Sequence, residues 1–135
     1  MLQELVLSVV IATGYCPCKK CCKVYSTRHH KVTASGKVAL STHTLACEKG
    51  RMGDVALMLE PLSLRQCEDR GSAITKGRID VYFDSHQEAL RWGRKPLKVI
   101  WLGNWDLRSM KRALYPIQQL IRGLRDYLLT FLVSG

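Results

Sequence analysis

Short segments with alternating or β-branched side chains, separated by glycine-containing turns, occupy the chain up to about residue 102. Because successive side chains of a strand face opposite sides of a sheet, such segments predict strands. The predicted strands are Leu5–Thr13, Lys37–Cys47 (with a bend), Asp54–Leu59, Leu64–Cys67, Arg78–Asp84 and Leu97–Leu102. Closing several short strands into a barrel removes exposed sheet edges, so the pattern favours a small, mainly β barrel.

Two segments have helical rather than strand character. Ser85–Trp92 begins with a capping residue, has Glu88 three positions later and is followed by Gly93, which predicts one short helix. Beyond Gly103, apolar residues recur at helical spacing, which predicts a C-terminal amphipathic helix with Pro116 in its first turn. The stripe comprises Ile117, Leu120, Ile121, Leu124, Leu128, Phe131 and Leu132. We therefore expect a barrel domain at residues 5–102 and a helical tail at residues 103–135.

The tail has three open interpretations. It could pack on the barrel, pack on a second copy of itself, or lie on a membrane surface as a peripheral contact. Arg122 and Arg125 lie off the apolar stripe, as expected for each of these arrangements.

Composition narrows the class of protein. A hydrophobic content of 47% with 24% charged residues is that of a globular protein and excludes a disordered chain. The net charge of +10 suits a polyanionic partner such as nucleic acid, an anionic membrane or an acidic envelope polymer, although a merely soluble basic surface is the plain alternative. No interleaved aromatic and basic stripe is present, so we expect no nucleic-acid partner.

The N-terminal segment is apolar, but it does not predict a signal peptide. It has no basic residues before the apolar run, and Glu4 lies where positive charge is expected. No run of 18 apolar residues predicts a membrane-spanning helix.

Three aspartates lie in the segment Cys67–His86, on either side of a glycine-bearing turn. If the strand extends to Asp84, alternation places Asp80, Tyr82 and Asp84 on one face, while Asp69 comes from the end of the preceding strand. Clustered carboxylates raise one another's pKa, which is one way to hold a protonated acid near neutral pH. Acidic residues at strand ends are also common as turn formers and surface residues.

Three motifs taken together resemble the 3D (Asp-Asp-Asp) domain family: TGYCPCKKCC, VTASGK and the run from EDRG to RWGRK. That family is similar to the catalytic core of membrane-bound lytic transglycosylase A and to stationary-phase survival proteins. The resemblance implies a six-stranded double-psi β-barrel like that of rare lipoprotein A. It also implies a location in the bacterial cell envelope or outside the cell.

The activity implied by the resemblance is cleavage of the β-1,4 bond between N-acetylmuramic acid and N-acetylglucosamine in peptidoglycan glycan strands. Attack by the sugar's own C6 hydroxyl gives a 1,6-anhydro end, so a single acid/base suffices. The resemblance makes Asp80 that acid/base, Asp69 the residue that orients and tunes it, and Asp84 a lining or bracing residue. Substrate contacts would come from Thr13, Tyr15, Thr33, Ser35 and Lys76. A glycoside hydrolase that uses water, or a non-catalytic glycan-binding module, remains an alternative.

Six cysteines, four of them in CPCKKCC, leave both disulfides and a metal site open. In an exported protein, disulfides from this loop to Cys47 or Cys67 are natural. The weaker alternative is a zinc site that includes Cys16, Cys18 and Cys21, because thiolates are good zinc ligands. We expect no cofactor, and we expect His86 to orient Asp84.

Overall fold

The computed structural model describes residues 5–18 and 32–134, which include six strands. The strands are β1 (Val6–Tyr15), β2 (Thr44–Ala46), β3 (Asp54–Leu59), β4 (Leu62–Asp69), β5 (Arg78–Tyr82) and β6 (Lys95–Asn104). They form a closed barrel in the order β1-β5-β2-β4-β3-β6. β1 runs parallel to β5 and β2 runs parallel to β4, while the other neighbours are antiparallel. The predicted six-stranded, mainly β barrel is confirmed.

Two predicted strands are shorter than expected. Of Lys37–Cys47, only Thr44–Ala46 is a strand, because the Leu40 carbonyl accepts hydrogen bonds from the backbone N–H groups of His43 and Thr44 and closes a turn. Strand β5 ends at Tyr82, two residues before Asp84.

The barrel interior is filled by residues that alternate along the strands. Ile79 and Val81 of β5 point inward with Ala12 of β1, Leu45 of β2 and Cys67 of β4. A second, smaller buried cluster lies on the other side of β1, β5 and β2 and consists of Tyr15, Ala39, Ala46, Ile74 and Tyr82. Tyr82, predicted to share a face with Asp80 and Asp84, belongs to this buried cluster, and its ring packs edge-on against Tyr15 at 5.4 Å between centroids.

Helix α1 (His86–Trp92) is confirmed with its predicted signals. The Ser85 hydroxyl accepts a hydrogen bond from the Glu88 backbone N–H at 3.2 Å, and Gly93 ends the helix with a positive φ of 69°. Residues other than glycine rarely adopt that backbone conformation.

Helix α2 (Leu107–Ser134) confirms the C-terminal helix but begins earlier than predicted. Asp106 precedes its first turn and accepts a hydrogen bond from the Ser109 backbone N–H, so the helix starts there and Pro116 lies in its interior. The chain divides into two compact units, one up to Trp105 and one from Asp106. Among the described residues, no helix is both long and apolar enough to cross a membrane.

Candidate active site

Four residues on four neighbouring strands lie in one cross-strand row. Thr13 of β1 is opposite Asp80 of β5, Asp80 is opposite Ala46 of β2, and Ala46 is opposite Asp69 of β4. Directly opposite residues point to the same face of a sheet, so the row lies on the face opposite to the barrel core. Two of the predicted acids are thus brought to one face with a predicted hydroxyl.

A register shift in β4 decides which acid joins this row. Leu45 is opposite Cys67, but the next residue, Ala46, is opposite Asp69 rather than Glu68. An extra residue of this kind redirects the side chains that follow it. The irregularity therefore aligns Asp69 with Ala46 and leaves Glu68 out of the row.

Asp69 is buried and held by three donors. The Tyr15 hydroxyl donates to Oδ2 at 3.0 Å, and the backbone N–H groups of Ala34 and Arg70 donate to Oδ1, each at 3.0 Å. Both carboxylate oxygens therefore have partners within the protein. Asp69 is placed to fix the surrounding segments rather than to meet a substrate.

Asp80 has a more open position. Its side chain is half-buried, and the Thr13 hydroxyl donates to Oδ1 at 3.0 Å. Two strand spacings separate it from Asp69, which puts their Cα atoms roughly 10 Å apart. Ala46 lies between them in the row, and its methyl group is buried in the cluster that contains Tyr15 and Tyr82.

The Thr33–Ser35 turn lies against the same strand as Asp69. The Ser35 backbone N–H donates to the Glu68 carbonyl at 3.0 Å, which ties the turn to β4. The Thr33 hydroxyl donates to the Lys37 carbonyl at 2.9 Å, so the Ser35 hydroxyl is the donor in the 2.8 Å contact between the two side chains. Thr33 is buried, and Ser35 is exposed next to Asp69's backbone partner Ala34.

The structure does not bring every predicted site residue into this row. Asp84 is exposed and lies beyond the end of β5. Lys76 is exposed in the turn before β5 and lines a surface pocket of about 190 Å³ with Arg51, Arg78 and Trp101.

A buried acid that the sequence analysis missed adjoins the site. Glu68 Oε1 lies 2.9 Å from His43 Nε2 and accepts a hydrogen bond from the Thr44 hydroxyl at 3.4 Å, and both Glu68 and His43 are almost fully buried. The only sequence signal was an acid next to Asp69. The pairing with His43 depends on the parallel alignment of β2 and β4, which no local pattern reports.

The cysteines pair differently from the expectation. Cys47 and Cys67, for which a disulfide to the N-terminal cysteine loop was one of the open possibilities, form a disulfide with each other. They can do so because Cys47 directly follows β2 and Cys67 lies on β4, and both side chains belong to the same core cluster.

Cys16 and Cys18 are thiols that lie against His86. Cys21, the third residue of the predicted zinc alternative, lies outside the described residues. The His86 ring contacts the two sulfurs through Nδ1, and its expected effect on Asp84 stays a prediction.

Comparison with known families adds one finding to this geometry. Residues 63–103 match the family model of the 3D domain. The predicted resemblance is confirmed over this segment, which includes most of β4 and β6 and all of β5 and α1. Asp69, Asp80 and Asp84 lie inside the 3D segment, whereas Thr13, Tyr15, Thr33 and Ser35 lie before it. No curated protein matches the chain.

Proposed function

We propose that the protein is a peptidoglycan-cleaving lytic transglycosylase in which Asp80 is the acid/base. The 3D match and the barrel are consistent with a domain that is related to peptidoglycan. The observation that supports the finer proposal is the row in which a half-buried Asp80 and a fully engaged Asp69 share one face.

The roles follow from what each carboxylate contacts. Asp80 protonates the glycosidic oxygen as the bond between N-acetylmuramic acid and N-acetylglucosamine breaks, and then accepts the proton of the attacking C6 hydroxyl. The Thr13 hydroxyl holds Oδ1 of Asp80 and so fixes the direction of the carboxyl group. Because the nucleophile belongs to the substrate, no second carboxylate is needed to activate water, unlike in an inverting glycosidase.

Asp69 acts through position rather than by contact with the sugar. It joins β1 through Tyr15 and the turn at residues 33–36 through Ala34, which are the two segments that supply the remaining hydroxyls. Ser35 and Lys76, which are exposed, are proposed to contact the glycan, and Asp84 to contribute at the edge of the face. Thr33 is buried, and its proposed role is to hold the turn through its hydrogen bond to the Lys37 carbonyl. The proposed location is the cell envelope or the outside of the cell.

The test is Asp80→Asn, which keeps the side-chain size and removes the acid. We expect release of anhydro-muropeptides from purified sacculi to fall roughly 10²–10⁴-fold, the usual contribution of a general acid/base. Glu60→Gln is the matched control, since Glu60 is an exposed acid in the turn between β3 and β4. Wild-type activity in Asp80→Asn, with unchanged circular dichroism, would contradict the proposed role.

Mass spectrometry of the products separates the two kinds of bond cleavage. A transglycosylase gives an anhydro end that is lighter by one water than the reducing end left by a hydrolase. Reducing ends alone would replace the transglycosylase by a hydrolase that uses water.

A glycan-binding module is the second candidate, favoured by a shallow surface pocket of about 560 Å³ at α1. Its lining combines two aromatic rings, Phe83 and Trp92, with the cations Arg65, Arg91 and Lys95. Aromatic faces and cations together suit an acidic sugar chain. Wild-type protein that co-sediments with sacculi but releases no soluble fragments, and that loses binding in Trp92→Ala, would favour this function.

A further inference from the structure

Two thiols and one imidazole converge where β1 ends and α1 begins. Cys18 Sγ lies 3.4 Å and Cys16 Sγ lies 3.6 Å from Nδ1 of His86, and the two sulfurs lie 2.9 Å apart. Cys16 is fully buried, while Cys18 and His86 are partly buried. Their donor atoms all lie within 4.8 Å of one another.

These distances can be compared with those of a tetrahedral zinc site. Zn–S bonds of about 2.3 Å and Zn–N bonds of about 2.0–2.1 Å place a sulfur and a nitrogen ligand about 3.6 Å apart, and two sulfur ligands about 3.8 Å apart. Both sulfur–nitrogen distances fit this geometry. The sulfur–sulfur distance is shorter by about 0.9 Å, so the Cys18 side chain, which is the more exposed of the two, has to move outward when an ion binds.

The donor set also selects the ion. Two soft thiolates and an imidazole suit Zn²⁺ and disfavour Mg²⁺ and Ca²⁺, which prefer oxygen ligands. The disulfide among the described residues joins Cys47 to Cys67 and uses neither of these sulfurs.

We propose that Cys16, Cys18 and His86 form a Zn²⁺ site, with Sγ, Sγ and Nδ1 as the ligand atoms. Binding displaces the protons of the two thiols, since only thiolates ligate zinc. The ion joins the end of β1 to the first residue of α1, two segments that are about 70 positions apart in the sequence. This assignment does not depend on the proposed glycosidase activity.

The position of the ion has a structural consequence. Cys16 directly follows Tyr15, whose hydroxyl holds Asp69, and His86 lies four residues after Tyr82, which packs on Tyr15. Zinc therefore stabilises the ends of the two parallel strands β1 and β5.

The experiment uses the full chain, reduced and then freed of metal with a chelator. After addition of Zn²⁺ and gel filtration, we expect one zinc per chain by elemental analysis. With Co²⁺ we expect a sulfur-to-cobalt charge-transfer band. X-ray absorption of the zinc form reports the sulfur and nitrogen ligands and the total number of ligands.

Three variants separate the proposed ligands. We expect Cys18→Ser, His86→Asn and the double variant Cys16→Ser/Cys18→Ser each to weaken zinc binding at least roughly a hundredfold in competition with a chromophoric chelator, since each removes a ligand. Gln87→Asn is the matched control, because Gln87 is the exposed neighbour of His86.

Several outcomes would overturn the site. These are zinc affinity in His86→Asn equal to that of Gln87→Asn, fewer than two sulfur ligands by X-ray absorption, or a Cys16–Cys18 disulfide in protein purified without reductant. If the loss of the buried Cys16 unfolds the chain, the variant His86→Asn still tests the site, because His86 is only partly buried.

Discussion

At the scale of single residues, Asp69 shows how a buried carboxylate is made part of a fold. Its partners come from β1, from the turn at residues 33–36 and from its own chain neighbour. Burying a carboxylate is costly unless donors replace the lost water, and here three of them do so. Losing any one donor therefore costs more than an exposed hydrogen bond would.

Tyr15→Phe tests this directly. Removing the hydroxyl leaves Oδ2 of Asp69 without its tyrosine donor, so we expect the free energy of unfolding to fall by about 1–3 kcal/mol. Urea denaturation followed by circular dichroism measures the change. Tyr115→Phe is the control, because Tyr115 is an exposed tyrosine on α2. Equal free energies of unfolding for the two variants would show that the Tyr15 hydroxyl contributes nothing to stability.

At the scale of elements, α1 lies against β1 at a position that only glycine allows. A Cβ atom on Gly14 would lie 2.9 Å from the Ala89 carbonyl oxygen and 3.1 Å from the Phe83 ring. The closest atom belongs to the helix backbone, so the helix itself has to move to make room. This contact fixes α1, and with it His86, beside β1.

We expect Gly14→Ala to destabilise the protein by about 1–3 kcal/mol, as overpacking in a closed interior does. Because α1 has to shift, the variant should also lose zinc affinity while keeping all three ligands. Gly50→Ala serves as the control, since nothing lies within 4 Å of a Cβ atom there. Thermal denaturation and the zinc competition assay measure the two effects. An unchanged thermal denaturation midpoint together with an unchanged zinc affinity would contradict the close approach of α1 to β1.

Helix α2 exposes the predicted apolar stripe along its length. Leu120, Leu124 and Leu128 are each about half exposed or more, and the helix contains five basic residues but only one acidic residue, Asp126. An apolar face with basic residues beside it binds anionic membranes at their surface. We therefore propose peripheral membrane contact as the role of this helix.

Co-sedimentation with vesicles tests that role. We expect the full chain to bind phosphatidylserine vesicles more tightly than phosphatidylcholine vesicles, and Leu120→Glu/Leu124→Glu to bind at least about tenfold more weakly. Gln119→Glu/Thr130→Glu introduces the same charge off the stripe and controls for electrostatics. Equal binding by both double variants would contradict the proposal. So would self-association by ultracentrifugation that disappears only in the leucine variant.

At the scale of the whole molecule, the sequence predicted what local rules determine. Asp54–Leu59 is a strand with the expected bounds because its alternation and its flanking turns are local. Helix α1 was predictable because Ser85 and Gly93 act on their near neighbours. The resemblance to the 3D domain family predicted a six-stranded barrel and identified Asp80 and Asp69 as the acids of the site.

The remaining features depend on contacts between distant segments. The irregularity in β4 that aligns Asp69 with Ala46 is a property of two paired strands, and the Tyr15 hydroxyl reaches Asp69 across 54 positions of sequence. The contact of Cys16 and Cys18 with His86 requires β1 and β5 to be in register first. A pattern along one strand contains none of this information.

The order of strands around the barrel has a consequence for how the chain folds. Both neighbours of β1, the strands β5 and β6, come from the segment after residue 77. During synthesis β1 is made before both of its neighbours, so its two edges are unpaired until the chain has been made as far as β5 at residues 78–82. Pairing between such distant segments is slow, and an apolar strand with open edges can meanwhile pair with other chains. The order of the strands therefore makes β1 a point at which the chain can aggregate during synthesis.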